Sequence, residues 1–509
     1  MKIGIVATFA AIAAGTLTIG PGPAAAADQL RVAMNADPDV LDMTQSSNPP
    51  QGLATMDNVY DSLDNQNPKG DVIPGVAESW DILDGGKVIV FHIRHGVTFH
   101  SGDPLTAKDV VWSHNRYLKK GRFYGVFTRS LSKVEAVDDF TVKFTFKVPD
   151  AQYLPVHPLP IASKTYYDRV GEAEFSKHPV GTGPYKIVNY VPGQYLDLEA
   201  YDKYWGPKPQ IRSARFYFVK DDNTRVAKLQ AGEADLIMAT PYAAYDALKA
   251  AGFTLVKLPV HPTQSIQFHL RNPNVPWHDV RVREAIAYAV DKDAIVKGLL
   301  HGVPTDYPRL MPDEIGYDPN LKDYKYDPAK ARQLLTEAGH ANGFSMPLYY
   351  SAGVYFGTQE TAEAVSLYLK QNLNITAQTR GMELMQLLGL IFKSAGDPTA
   401  KYVAVAGLPV ANLATALEGI GLAYYGKNAA GALYDDPQLD SLYEQGNTKL
   451  VPADQGPYIK KIMALEQKDL STITLWQYVD VYAMKNGITY TPGLHNLEIV
   501  YLPWVHEKM

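Results

Sequence analysis

Cysteine is absent from all 509 residues, which removes disulfides and thiolate metal sites from consideration. A cationic block is missing too. The chain has 48 Lys and Arg against 54 Asp and Glu, a net charge of -6 with no basic run, so it lacks the clustered cations that a nucleic-acid backbone requires. No stretch beyond the first thirty residues is long and apolar enough to span a bilayer. There is no Gly-x-Ser-x-Gly elbow, no His-Glu-x-x-His pair and no Walker loop. The expectation is therefore a non-enzyme, the competing reading being a hydrolase whose triad is assembled from distant residues, since triads are defined by geometry rather than chain order.

What is present is a composition 46% hydrophobic and 20% charged, the balance of a soluble globular protein. At this length two to four domains are expected. The first residues carry Lys2, an apolar run to Ile19 and small residues at 24–27. That is the pattern of a secretory signal peptide, with cleavage expected after Ala26 or Ala27.

The most densely signalled stretch is 74–118. Ile89, Phe91 and Ile93 alternate with Val90, His92 and Arg94, predicting a one-sided strand over 87–94 entered through the turn Asp84-Gly85-Gly86. Thr106 and Asp109 form a capping-box pair ahead of the helix DVVWSHNRYL. His92, His95 and His100 are close in sequence, but no carboxylate joins them at ligand spacing, so no metal is expected. Gly181-Thr182-Gly183-Pro184-Tyr185 lacks the Lys-Ser or Lys-Thr of a phosphate loop and leads into a strand, so it reads as a turn.

Along the rest of the chain a strand is expected at 30–34, then a turn in which Asn35 and Asp37 either satisfy backbone donors or face a ligand. A helix is expected over 55–63, with Tyr60 in the core or on a cleft wall. Residues 221–232 predict a helix ended by Gly232, and 265–270 a strand containing His269. Helices follow Asp279 and Asp327, then a strand at 345–351 and a helix at 360–369, a repeated α/β pattern. Tyr349, Tyr350 and Tyr355 end that strand or follow it, where open α/β sheets bind ligands; core packing is the competing reading for each. Over 473–484, period-two alternation places Trp476, Tyr478, Asp480 and Tyr482 on one face.

The 74–118 string, HPVGTGPYKIVNYVPGQYLDLEAYDKYWGPKP from His178, LQAGEADLI from Leu229 and PWHDVRVREAIAYAVDKDAIVKGLLHG from Pro276 together resemble the family-5 extracytoplasmic solute-binding proteins of ABC importers, the dipeptide, oligopeptide and nickel binders. The resemblance implies an α/β, two-lobed periplasmic binding protein fold (type II, cluster C-like) with an extra small domain inserted in the first lobe. The implied divisions are a signal peptide at 1–27, a first lobe of 28–54, 178–264 and 484–509, an inserted domain at 55–177 and a second lobe at 265–483. The implied function is capture of a peptide-type or related small solute in an interlobe cleft and delivery to the membrane permease; the alternative is a ligand-presenting partner of a chemoreceptor or sensor. A monomer without cofactor, metal or nucleic acid is expected. Because the lipid-attachment cysteine is missing, the resemblance points to the periplasm of a Gram-negative cell.

Asn35, Asp37, Tyr60, Gln264, His269, Tyr349, Tyr350, Tyr355, Gly407, Asn412, Tyr424, Trp476 and Tyr478 are the candidate ligand-binding residues. Peptide binders of the family place an Asp in a second-lobe loop to meet the substrate's α-ammonium, since a buried ammonium needs such a partner. The matching region here, 402–428, has Glu418 as its one acid, and Asp397 is the nearest other; Gly407, Leu408, Pro409 and Asn412 stand where the acidic loop belongs. Among 33 tyrosines, Tyr424 and Tyr425 lie just beyond, favouring a flat or ring-bearing solute.

Overall fold

Strand positions follow the alternation of apolar and polar residues, and among the described residues their order builds a ten-stranded sheet, a short four-stranded one and two two-stranded ones. The computed structural model describes residues 29–38, 40–45, 55–68, 71–120, 130–150, 153–156, 159–304, 310, 312, 314–321, 323–352, 356–406, 417, 435–449, 451–493 and 500–507. In chain order the strands are β1 (Gln29–Met34), β2 (Asp64–Gln66), β3 (Val72–Pro74), β4 (Ala77–Leu83), β5 (Val88–Ile93), β6 (Leu131–Ala136), β7 (Thr141–Phe146), β8 (Tyr185–Val191) and β9 (Tyr195–Ala200). They continue as β10 (Ser213–Phe218), β11 (Leu236–Ile237), β12 (Thr254–Phe268), β13 (Ser345–Ser351), β14 (Thr376–Met382), β15 (Val403–Ala406), β16 (Thr472–Met484), β17 (Ile488–Tyr490) and β18 (Val505–Glu507).

The short sheet has the antiparallel order β4-β5-β7-β6. Asp84, Gly85 and Gly86 all have positive φ (50°, 60° and 93°) in the turn joining β4 to β5. The sheet has its own hydrophobic cluster, including Phe91, Ile93, Val110, Val142, Phe144 and Tyr153. Phe144 sits edge-on to Phe91 at 5.0 Å and to His114 at 4.8 Å, a geometry that aromatic quadrupoles favour. Helix Ala107–Lys120 covers it. Asp109 holds that helix's start by accepting from the Thr106 amide and hydroxyl, each at 3.0 Å, and from the Lys164 amide at 2.9 Å. One buried carboxylate thus fixes a helix N-terminus and the entry of the next helix, Lys164–Val170.

The ten-stranded sheet has the order β14-β13-β15-β12-β16-β11-β1-β10-β9-β8. At one end β1 runs parallel to β10 and β11, with β9 and β8 added antiparallel; at the other, β13 runs parallel to β14 and β15. The two halves form the two lobes of an α/β fold. Among the described residues they are joined within the sheet by β12 and β16, which pair antiparallel over most of their lengths. The strand expected at 265–270 starts eleven residues earlier, at Thr254, because its first part is paired within the first lobe and shows little alternation of its own.

Within the helix expected over 55–63, Thr55 and Met56 are helical and residues 57–59 form a turn that leaves the helix. Tertiary partners take its carbonyls: Asn58 O accepts from Tyr185 N and Val59 O from Gly183 N, both at 2.9 Å. The Asn58 side chain donates to Val500 O at 2.9 Å and accepts from Leu502 N at 2.8 Å. Gly181 and Gly183 permit the approach, since a Cβ on either would fall 2.1 Å from Val59 O and 2.6 Å from Val59 C respectively.

Candidate functional site

The site is built where β12 and β16 pass from one lobe to the other. Their register is regular from Thr254↔Met484 to Pro259↔Val479 and resumes at Thr263↔Gln477, leaving residues 260–262 opposite Tyr478 alone. A second shift separates Gln264↔Trp476 from Ser265↔Thr474. Such bulges bend and twist a ladder and release it from strict pairing. Gln477 Nε2 donates to Val260 O at 3.2 Å across the bulge.

Four side chains meet at this break. Gln264 is fully buried, and its Oε1 accepts from the Tyr478 hydroxyl. The Thr358 hydroxyl lies 3.0 Å from Tyr478 OH and 3.5 Å from Gln264 Oε1. Trp476 stands edge-on to Tyr478 at 4.4 Å and donates from Nε1 to Thr361 Oγ1 at 3.3 Å. Thr358 and Thr361 belong to the first turn of helix Thr358–Leu373, whose N-cap Gly357 is left-handed at φ 72°. A side chain at Gly357 would come within 2.3 Å of Leu300 Cδ2, so glycine is what lets the helix begin against Leu300 and Trp476. The Gln264 Nε2 is a buried donor with no partner among the described residues, an unusual state because buried polar groups are generally paired. The cluster offers amide, hydroxyl and indole chemistry without a formal charge, which suits binding rather than proton transfer.

The model of the bacterial extracellular solute-binding proteins, family 5, matches residues 71–397. This chain belongs to that family. The family-5 chain is similar to the dipeptide-binding protein of Escherichia coli K12, at 34% identity over 55% of this chain and 57% of that protein. It is also similar to heme-binding protein A of Haemophilus influenzae, at 35% identity over 57% and 58%. It thus spans less than two thirds of the length of these curated relatives. Among solved structures, the periplasmic binding protein DppA of Helicobacter pylori in complex with the peptide STSA superposes with a TM-score of 0.78 at 23% identity, over 95% of this chain and 98% of that one, which is a likeness of fold.

Of the thirteen candidate ligand-binding residues of this family-5 protein, Gln264, Trp476 and Tyr478 come together at the crossing. The others described are placed elsewhere. Asp37 accepts from Tyr190 OH at 2.9 Å and from Gly193 N at 2.6 Å, so both carboxylate oxygens hold the β8–β9 turn. Asn35, half-buried, follows β1 in a bend. Tyr60 is buried in the main core, donating to Leu41 O at 3.2 Å, and burial raises its pKa well above the ordinary phenol value. His269 is buried beyond the end of β12, five residues and about 17 Å along the strand from Gln264. Its Nε2 is 3.0 Å from Ser394 O and its ring 5.1 Å from Tyr402, and burial lowers its pKa. Tyr349 packs on the cluster of Leu387, Ile391 and Tyr402, Tyr350 on the main core. Tyr355, Gly407, Asn412 and Tyr424 lie outside the described residues, as do Glu418 and Tyr425. Asp397 accepts from Thr399 N at 2.8 Å and Thr399 Oγ1 at 2.7 Å in an exposed turn.

The three neighbouring histidines diverge. His92 pairs with Asp81 at 2.9 Å, His95 stacks on Phe140 at 3.8 Å, and His100 meets Gly183 O at 3.0 Å. Burial pushes His100 down to about 4. Asp61, three residues before β2, is buried and accepts from Trp205 Nε1 at 2.7 Å, Thr182 Oγ1 at 3.0 Å and Tyr204 OH at 3.4 Å. Desolvation outweighs those bonds and pushes its carboxyl up to about 7. Sequence reasoning missed Thr358 and Tyr242 at the crossing. Gly357 immediately before a helical run was the available signal for Thr358; for Tyr242 there was none, because its partner is 237 residues away.

Proposed function

We propose that this protein is the solute-binding component of an ABC import system, taking a peptide-type or related small solute between its lobes and presenting it to the membrane permease. The observation that carries this reading is the crossing: two paired strands, broken in register at 259–264 and lined by Gln264, Thr358, Trp476 and Tyr478. Few φ and ψ angles need to change there for the lobes to close on a ligand. Relatives named for dipeptides and heme support a small solute and leave its chemistry to this chain's own residues. The reading includes a monomeric binder without catalytic turnover, acting in the periplasm after a leader is removed near Ala26 or Ala27. It also assigns 28–54, 178–264 and 484–509 to the first lobe, 265–483 to the second and 55–177 to the inserted domain; the separate core under the short sheet supports the last.

Thermal-shift screening tests it, because a ligand that binds only the folded state raises the melting temperature by mass action. Di- and tripeptides, glutathione, heme, sugars, aromatic acids and metal chelates form the panel. At least one class is expected to stabilise the protein at saturation and to be recovered unchanged. Conversion of that compound by pure protein, or no stabilisation by any class, would overturn the proposal.

A further inference from the structure

We propose that Tyr242 is a positioning residue for lobe closure: its phenol stands in for a rung of the β11–β16 ladder at the crossing, and its ring bears on the second lobe. The proposal rests on the reading that the lobes reorient. Ladder contacts between β11 and β16 include Ile237↔Ala483, and one more follows when Thr240 N donates to Val481 O at 2.9 Å. At Pro241 the chain turns away into Tyr242–Ala244. Alternate residues of an antiparallel strand face the same neighbour, so the next β16 residue facing this side is Val479. Tyr242 OH takes both of its backbone groups, donating to Val479 O at 3.0 Å and accepting from Val479 N at 3.2 Å. On the opposite flank of β16, Val479 stands against Pro259, the last regular rung before the bulge. The phenol therefore fixes β16 at the final first-lobe position before the break. Its ring lies 5.7 Å from that of Phe356, the residue before Gly357 and two before Thr358, whose hydroxyl touches Tyr478. A side chain that only filled the core would need no hydroxyl there.

The chain has no cysteine, so Gln230→Cys and Glu363→Cys give one spin-label pair across the lobes. Distances by electron-electron resonance and amide exchange by NMR are compared between this background and the same background carrying Tyr242→Phe, without added solute. Exchange at the Val479 amide should accelerate about tenfold, the loss of one net hydrogen bond, while the Val256–Tyr482 rung is unaffected. The interlobe distance distribution should broaden or move. Val260→Gly, which loosens the bulge itself, is the reference. Unchanged exchange at Val479 overturns the bridging role. Faster exchange with unmoved distances, when Val260→Gly moves them, reduces Tyr242 to a structural residue and sinks the proposal alone. Distances unmoved in both variants mean that the lobes do not reorient, and the closure reading fails with it. Should Tyr242→Phe not fold, Phe356→Leu must move the distances while leaving Val479 exchange unchanged; no movement there also overturns the proposal.

Discussion

The short sheet and the strand crossing are built on opposite principles. In the short sheet, Asp109 closes its bonds on Thr106 and Lys164, and the apolar cluster around Phe144 is self-contained. At the crossing, Gln264 is just as buried, yet its amide lacks a partner among the described residues and the ladder is broken on both sides of it. The short sheet has register shifts of its own, at Ala77/Ser79 and Leu131/Lys133, so what separates the two regions is the buried polar group: the bonded Asp109 ties elements together, whereas the Gln264 donor is left available at its register break.

The comparison is most strongly tested by Phe144→Ala. It should cost about 3–5 kcal/mol, the usual loss for a buried aromatic, as measured by denaturant unfolding; a loss under about 1 kcal/mol would mean that the short sheet is not rigidly packed. Asp109→Ala should cost about 1–3 kcal/mol by stranding three donors, and rapid exchange of the Lys164 amide should accompany it.

A pH series comes next. Asp61 has its folded pKa raised to about 7 from 3.8, so the folded state holds a proton that the unfolded state has released. Its contribution is fully present below about pH 4 and lost as pH rises through about 7. Asp61→Asn should flatten the fall in melting temperature over that window, and an unchanged slope would show that this carboxyl is not the source.

At the crossing, Gln264→Leu should change stability by no more than about 1 kcal/mol, since it removes a buried Nε2 donor with no partner among the described residues along with the Oε1 acceptor, and leaves Thr358 and Tyr478 bonded to each other. Loss of the thermal shift from whatever solute the screen identifies should nevertheless follow, and retention of that shift would remove Gln264 from the site. The smallest expected effect is none. No Asp or Glu lies at 403–417, so any dipeptide that stabilises the protein should do so equally with its amine acetylated, unless a first-lobe acid supplies the partner. Asp37, the first-lobe candidate, already has both oxygens engaged. A strong preference for the free amine, surviving Asp37→Asn, would place the partner in the second lobe and refute this expectation.

Much of the architecture was legible without coordinates because it is carried by local rules. Period-two alternation located β5, β7 and β16, the Thr106–Asp109 spacing located a helix start, and Asp84-Gly85-Gly86 located a turn. Three of the crossing residues were reachable as well, since Trp476 and Tyr478 share a strand face and Gln264 adjoins a strand recognised in part. The failures have one cause. The helix expected over 55–63 ends at Met56 because the carbonyls of Asn58 and Val59 accept from Tyr185 and Gly183 instead of from residues further along a helix, and β12 begins eleven residues early because its partners supply the pairing.

What the sequence determined by itself is the class: an α/β chain with no cysteine, no basic patch and four long segments in family order, each readable because periodicity and turn chemistry act over a few residues. What only the tertiary structure decided is which polar groups are left over. Asp37 is consumed by a turn 156 residues away, while Gln264 keeps a donor with no partner among the described residues and Tyr242 reaches 237 residues to hold Val479. Hydrogen-bond satisfaction is settled by neighbours in space, and a sequence pattern does not encode which distant donor arrives first.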